Sequence, residues 1–348
     1  MKKSYRQNQP DRGLYEKLIC PKHRSRLSVV EGSLYCQENC GFPIIEGIPV
    51  LLLEDFPQTL GVAVDSLREA KLNNHEDPFF IETLGISCAE KFLLRERVRN
   101  GNFSIDPVVA LLVGATNGIA YKGNINNIDS MPIPNIRLEN SMPGQILLDI
   151  GCNWGRWSIA AANKGYRVVG VDPSLGTLLA AKRITERLGL DAKFVCGDAR
   201  FLPFSAESFE RIFSYSVIQH FSYQNAEVSF SEIGRVLKKG GSSMIQMPTK
   251  FGIRCLFHQI RRRFRGPINI EVRYWTIAAL KKKLGSKIGH TTISVDCFFG
   301  IGLQPTDLKF MSLQGNLATI ASEIIRKLTK KLSAVKFMAD SVYLNSTK

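Results

Sequence analysis

At 348 residues the chain is longer than one small domain and can hold a catalytic domain with an accessory module. Hydrophobic residues make up 44% and charged residues 22%, which excludes wholesale disorder, and eight cysteines are too sparse for a disulfide scaffold. The net charge of +15 is uneven: from Lys250 to His290 eleven Lys or Arg stand against one acid, Glu271, which points to an anionic substrate, nucleic acid or a membrane surface, or else to a solvated basic face.

Residues 1–14 read as a disordered leader. The start, MKKSYRQNQPDRGLYEKL, has early lysines but no apolar core of signal type, and no run of about 18 apolar residues follows, so a cytoplasmic chain without a transmembrane segment is expected. Residues 15–54 alternate short apolar runs with turn residues and close on FPIIEGIPVLLL, a strand pair about Gly47. Within them Cys20 and His23 form C-x2-H, and Cys36 and Cys40 form C-x3-C. Two close pairs on successive turns can surround one tetrahedral ion, and four filled ligands make such an ion structural; zinc is the expected metal.

Residues 55–144 read as a helical linker followed by an irregular lid region. Leu60, Val64, Leu67 and Ala70, then Phe92, Leu93 and Val98, have helical spacing, whereas 101–145 are rich in Gly, Asn and Pro, as in MPIPN. From residue 145 to 348 apolar strands and helices alternate (ILLDI, WSIAAANKG, RVVGVD, LLAAKRITERLG, AKFVC and onward), which predicts an α/β doubly wound, Rossmann-like sheet.

In such a sheet a ligand lies across the carboxyl ends of the strands, where a glycine turn lets backbone approach it. Gly151 and Gly155 supply the turn, and Asp172 ends the next strand, where a carboxylate can accept bonds from two ribose hydroxyls. NAD and S-adenosylmethionine both fit that much. The G-x-G-x-x-G pattern fails, because its later positions are Asn153 and Arg156, and Asp149 before the turn suits a ligand ammonium better than a pyrophosphate. Asp198 with the Ala199 amide is placed to read an adenine edge.

The four elements LLDIGCNWGRWS, VVGVDPS, GDARFLPF and FERIFSYSVIQHF, in that order, resemble class I S-adenosylmethionine-dependent methyltransferases over roughly residues 145–250. The resemblance implies S-adenosylmethionine as cofactor, held by Asp149, Gly151, Asn153, Gly155, Asp172, Asp198, Ala199 and Tyr215. Asn153 stands at the family's middle glycine; Asn tolerates a left-handed backbone, so the turn can survive. Methyl transfer from a sulfonium is an in-line displacement that needs alignment above all, and a base only when the nucleophile starts protonated. His220 is the candidate base, with pocket shaping or helix capping as its other reading; Tyr215 and Gln219 are further substrate-facing candidates. Methyltransferases of exocyclic amines in nucleic acids carry N/D-P-P-Y/F here, and SYSVIQH matches neither form.

The segment ICPKHRSRLSVVEGSLYCQENCGFPIIEGIPVLL resembles the Trm112-like zinc-ribbon family, with His23 replacing a cysteine and the second pair spaced by three. That family serves as partner or fused module of methyltransferases. Beyond the fifth strand, FGIRCLFHQIRRRFRG mixes apolar residues with arginines; it reads as a covering helix, a phosphate or RNA contact, or a peripheral membrane contact through 251–265. VRYWTIAALKKKLG is similar to the helix that precedes the closing hairpin in the small-molecule, UbiE-like branch, which implies seven strands with TTISVDCFFG and ADSVYLN as the last, antiparallel pair around an insertion at 305–336. The expected acceptor is a small or lipid-linked metabolite. RNA is the alternative, since bacterial ribosomal RNA guanine-N1 methyltransferases also place a Cys/His module first, and a non-catalytic interaction module is a third reading.

Overall fold

The computed structural model describes residues 12–57, 61–72, 77–82, 87–101, 104–116, 130–138, 142–300, 302–329 and 331–348. Arg12–Tyr15 forms one helical turn, α1, with Leu14 buried, so the described end of the expected leader is packed; residues 1–11 lie outside the described residues. Four short strands follow: β1 (Leu27–Val30), β2 (Ser33–Cys36), β3 (Gly41–Ile45) and β4 (Ile48–Pro49), antiparallel in that order. Glu46 and Gly47 join β3 to β4 with φ of 48° and 79°, the left-handed pair that lets a two-residue hairpin follow the strand twist. Just past β4, the Leu51 N–H donates to the Cys196 carbonyl at 2.7 Å, stitching the module to the edge of the larger sheet. Leu18, Leu34, Phe42 and Leu51 share one apolar core with Leu148, Val195 and Phe204.

Three helices come next: α2 (Gly61–Ala70), α3 (Cys88–Asn100) and α4 (Pro107–Thr116). Ser87 and Glu90 form a reciprocal capping box at the start of α3, and Gly101 ends it with φ 61°. Helix α4 corrects the irregular reading of 101–145. Its PVVALLVG is apolar on every side and so shows no 3.6-residue period, because Val108, Val109 and Val113 are all buried, in a cluster with Ile159, Ala180 and Ile184. The described part of the expected lid, 130–138, is pinned down: Arg137 pairs with Asp296 at 3.4 Å and Glu323 at 2.5 Å.

The large sheet holds β5 (Ile146–Ile150), β6 (Arg167–Asp172), β7 (Ala192–Cys196), β8 (Phe209–Ser214), β9 (Leu237–Pro248), β10 (His290–Cys297) and β11 (Ser341–Thr347) in the order β10-β11-β9-β8-β5-β6-β7. Strands β5 to β9 pair in parallel, and β11 runs antiparallel to both β9 and β10. Helices α5 (Arg156–Ala162), α6 (Leu175–Arg187), α7 (Tyr223–Val236), α8 (Ile253–Arg261), α9 (Ile277–Lys287) and α10 (Leu313–Leu328) connect them. Ser174, Ser222, Thr276 and Ser312 each cap a helix with a side-chain oxygen. This is the doubly wound α/β fold with a closing antiparallel pair. The chain leaves β5 for β6 and β7 on one side and returns to β8 on the other, so a crevice opens at the carboxyl ends between them.

Candidate active site

A cavity of about 720 Å³ fills that crevice. Its floor is the turn after β5. Gly151 has φ 73°, and a Cβ there would lie 2.1 Å from a Val217 methyl, so both conformation and space demand glycine. Asn153 keeps the left-handed conformation expected of it, φ 49°, and its N–H donates to Asp172 Oδ2 at 2.9 Å. Ser174 N–H donates to Asp172 Oδ1 at 3.0 Å. Each carboxylate oxygen thus retains a lone pair, and Asp172 lines the cavity. Burial pushes its pKa up to about 6 despite these donors, with Glu82 adding a like charge.

Glu82 escaped the sequence reading. It is 2% exposed, lines the same cavity, and accepts from Ser66 Oγ at 2.7 Å, Ser174 Oγ at 2.7 Å and Gly176 N–H at 3.0 Å. The last donor belongs to the first turn of α6, where a carboxylate is favoured. With Val62 and Ile81 it makes a roof from the segment before the sheet. Its sequence signal is one acid inside the apolar run PFFIETLG.

Two expected contacts come out differently. Asp149 does not line the cavity: it is 1% exposed beneath the turn and accepts from Ser158 Oγ at 2.7 Å, and burial pushes its pKa up to about 7. Gly155 also lies off the cavity wall; with φ 84°, its α-carbon faces Ala181 of α6, where an added Cβ would sit 3.2 Å away, so it serves helix packing. Asp198 and Ala199 do line the cavity, but both Asp198 oxygens are taken by Arg200, whose Nη2 lies 2.7 Å away and also donates to the Pro57 carbonyl at 2.8 Å. An adenine edge would meet an ion pair there and no bare carboxylate.

On the other side of β5 the wall is built from the segments C-terminal to β8 and β9. Tyr215 donates to Asp296 at 2.9 Å and packs against Trp157 at 4.5 Å between ring centres; Gly302 makes room for it, since a Cβ there would overlap its hydroxyl. His220 Nδ1 lies 2.6 Å from the Ile270 carbonyl, which can only accept, so Nδ1 carries the proton and Nε2 is the basic atom, 3.2 Å from the Gln219 amide. Burial, reinforced by nearby Arg273, holds the imidazole below its usual pKa and therefore neutral at pH 7. Arg254, Cys255 and His258 of α8 continue this wall with Tyr274. A second, open cavity of about 690 Å³ shares His258, Val272 and Tyr274 with the first and adds Arg261, Arg262, Arg263, Arg265 and Glu271, whose carboxylate pairs with Arg265 at 2.7 Å and Arg262 at 3.6 Å.

Residues 147–241 match the protein family described as "Methyltransferase domain". These residues carry a methyltransferase domain. Similar curated proteins include phosphoethanolamine N-methyltransferase 2 of Caenorhabditis elegans, 35% identical over 113 residues that make up 32% of this chain and 25% of that protein. Cyclopropane-fatty-acyl-phospholipid synthase of Escherichia coli (strain K12) is 29% identical over 201 residues, 52% of this chain and 50% of that enzyme. The tRNA (carboxymethyluridine(34)-5-O)-methyltransferase alkbh8 of Xenopus tropicalis is 29% identical over 126 residues, 35% of this chain and 19% of that protein. The chain thus spans half or less of the length of each of these relatives.

Away from this cavity, Cys20, His23, Cys36 and Cys40 converge with their donor atoms within 4.8 Å of one another. The three sulfurs lie 3.5, 3.6 and 3.8 Å from His23 Nδ1. Metal–ligand distances of about 2.3 Å to sulfur and 2.0 Å to nitrogen put tetrahedral ligand atoms roughly 3.5–3.8 Å apart, so this donor set fits zinc. Backbone N–H groups of His23 and Cys40 point at the sulfurs of Cys20 and Cys36, as thiolates require.

Proposed function

We propose that the protein binds S-adenosylmethionine and transfers its methyl group to a small or lipid-linked acceptor with anionic character, in the cytoplasm, with a structural zinc in the Trm112-like module. The observation that carries this reading is the continuity of one cavity from Asp172 and Asp198, at the ends of the cofactor-side strands, to Arg254, His258 and Tyr274 on the far side of β8. Asp172, through its two remaining lone pairs, would hold the ribose, and the Gly151–Asn153 turn would support the methionine end, with Asp149 acting from below through its charge. Asp198 with Ala199 would border the adenine, with Asp198 held in its ion pair with Arg200. The cofactor, when bound, supplies an electrophilic methyl on a sulfonium.

The protein's own contribution is alignment and exclusion of water. Trp154 and Trp157 shape the apolar wall, and the Arg156–Asp307 pair at 2.6 Å ties α5 to the segment before α10. His220 is neutral and oriented by Ile270, so once an acceptor hydroxyl displaces the Gln219 amide from Nε2, that atom can take its proton. The basic vestibule beside His258 favours an acceptor carrying phosphate or carboxylate. Similarity to a phosphoethanolamine enzyme and to a phospholipid-modifying one supports that class, whereas similarity to a tRNA methyltransferase supports RNA as the second reading. Incubation with methyl-labelled S-adenosylmethionine and fractionated cell extract, with and without ribonuclease, separates them. Label in a low-mass or solvent-extractable fraction supports the metabolite; ribonuclease-sensitive label overturns it. No cofactor binding and no turnover would leave a non-catalytic scaffold.

A further inference from the structure

A helix on a globular protein turns its large apolar residues inward. Helix α8 does the reverse. It buries Gly252, Cys255 and Gln259 and exposes Ile253, Leu256, Phe257 and Ile260, with Phe257 60% exposed. At about 100° per residue those four side chains fall within roughly 100° of arc. Phe264, 65% exposed, and Ile268 extend the apolar surface past the helix end, among Arg261, Arg263 and the Arg265–Glu271 ion pair. Helix α10 repeats the inversion: Thr319 and Ser322 are buried, while Leu313, Leu317, Ile320, Ile324 and Leu328 form one exposed stripe that ends beside Lys327 and Lys331. The two helices are fixed to adjacent residues. Arg254 donates to the Phe299 carbonyl at 3.3 Å, and Ser322 Oγ accepts from the Phe298 N–H at 2.9 Å.

The pairing of aliphatic and aromatic stripes with cations selects among partners. The centre of a protein interface is depleted of charge, and a nucleic-acid surface asks for cations without aliphatic stripes. An interfacial helix on an anionic bilayer combines the two, its apolar side chains entering the acyl boundary and its Arg and Lys meeting headgroups. Helix α8 also carries Arg254, Cys255 and His258 into the cavity wall, and Ile270 is at once exposed and part of that wall. We propose that the outward faces of α8 and α10 dock this protein on an anionic lipid surface, which sets the mouth of the cavity against the bilayer that holds its acceptor. The proposal rests on the lipid-linked reading of the acceptor.

The test is co-sedimentation of the full chain with vesicles of phosphatidylcholine alone or mixed with phosphatidylglycerol, alongside light scattering of the free protein. Partition onto the mixed vesicles should be about tenfold or more stronger and should weaken with salt. Phe257→Asp with Ile260→Asp, and separately Leu317→Asp with Ile324→Asp, should each lower it about tenfold or more while leaving S-adenosylmethionine affinity, read by calorimetry, unchanged. Equal partition onto both vesicles, binding that survives both pairs, or a dimer in solution that these substitutions dissolve would overturn it, the last assigning the faces to a second copy. Ribonuclease-sensitive binding abolished by Arg261→Gln with Arg263→Gln, but indifferent to the aspartates, would overturn it in favour of RNA. Vesicle binding without methyl label in any lipid would leave the docking intact and sink the lipid acceptor instead.

Discussion

The two walls of the cavity are built differently. The wall proposed for the cofactor comes from turns directly after β5, β6 and β7, and its polar atoms are tied to the sheet: Asp172 takes backbone N–H bonds from Asn153 and Ser174, and Gly151 is locked against Val217. The wall proposed for the acceptor comes from α8, the loop to Tyr274, and Gly302 and Asp340 near the far edge, with arginines that reach an open vestibule. Rigid strand-end geometry suits a ligand that never changes. A wall hung on insertions can be rebuilt for a new acceptor without disturbing the sheet.

The sharpest way to break this division is Asp172→Ala. If Asp172 holds the ribose, S-adenosylmethionine affinity should fall at least about 100-fold by calorimetry, with the far-ultraviolet circular dichroism unchanged. Unchanged affinity would move the cofactor out of this cavity. On the opposite wall, His220→Ala should lower turnover about 100-fold while cofactor affinity stays within about twofold, once an acceptor is in hand. Because the imidazole titrates below its usual 6.5, the wild-type rate should be flat above neutrality and decline only in acid. Should His220→Gln keep both the rate and that acid limb, His220 merely shapes the pocket.

A third comparison sets the Cys/His module against the sheet it is stitched to. Chelation of zinc, or Cys36→Ser, should lower the melting temperature by about 10 °C or more, since a structural zinc contributes its binding free energy to folding. Cofactor affinity should also drop several-fold, because Arg200 is steadied by the Pro57 carbonyl at the module's exit. Less than about a tenth of an equivalent of metal in the purified, folded protein would remove the zinc from this account.

How much of this was legible in the sequence tracks the same division. Short buried strands separated by glycine turns advertise a parallel sheet, and Gly151, Asp172 and Asp198 sit at offsets from those strands that the geometry requires. The cluster of Cys20, His23, Cys36 and Cys40 is local enough to be noticed from spacing. Helix α4 was missed because burial on all sides erases amphipathic period, and Glu82 because its donors, Ser66 and Gly176, are contributed by elements far from it in the chain. The acceptor wall was invisible for the same reason: Arg254, Tyr274 and Gly302 meet only through tertiary packing. Arg200's hold on Asp198 spans two residues, yet nothing in GDARFLPF says which way the guanidinium turns.

Asp149 gives the smallest effect and the finest test, because it belongs to the cofactor wall without touching the cavity. Its carboxyl is buried and its pKa stands near 7, well above the ordinary 3.8. Raised above its unfolded value, the group favours the folded state fully only below about pH 4, and that contribution is lost as pH rises toward 7. At pH 8 the buried charge therefore destabilises the free protein. Asp149→Asn keeps an oxygen for Ser158 Oγ and removes the charge, so the melting temperature at pH 8 should rise by about 3 °C. A ligand ammonium above the turn would favour the ionised form, so wild-type cofactor affinity should weaken as pH falls below 7, and Asp149→Asn should be weaker by about fivefold and lose the part of that dependence near pH 7, keeping the part near pH 6 that Asp172 supplies. Stabilisation with unchanged affinity would mean that Asp149 is a cost of the fold alone, and that the ammonium is met elsewhere on the wall.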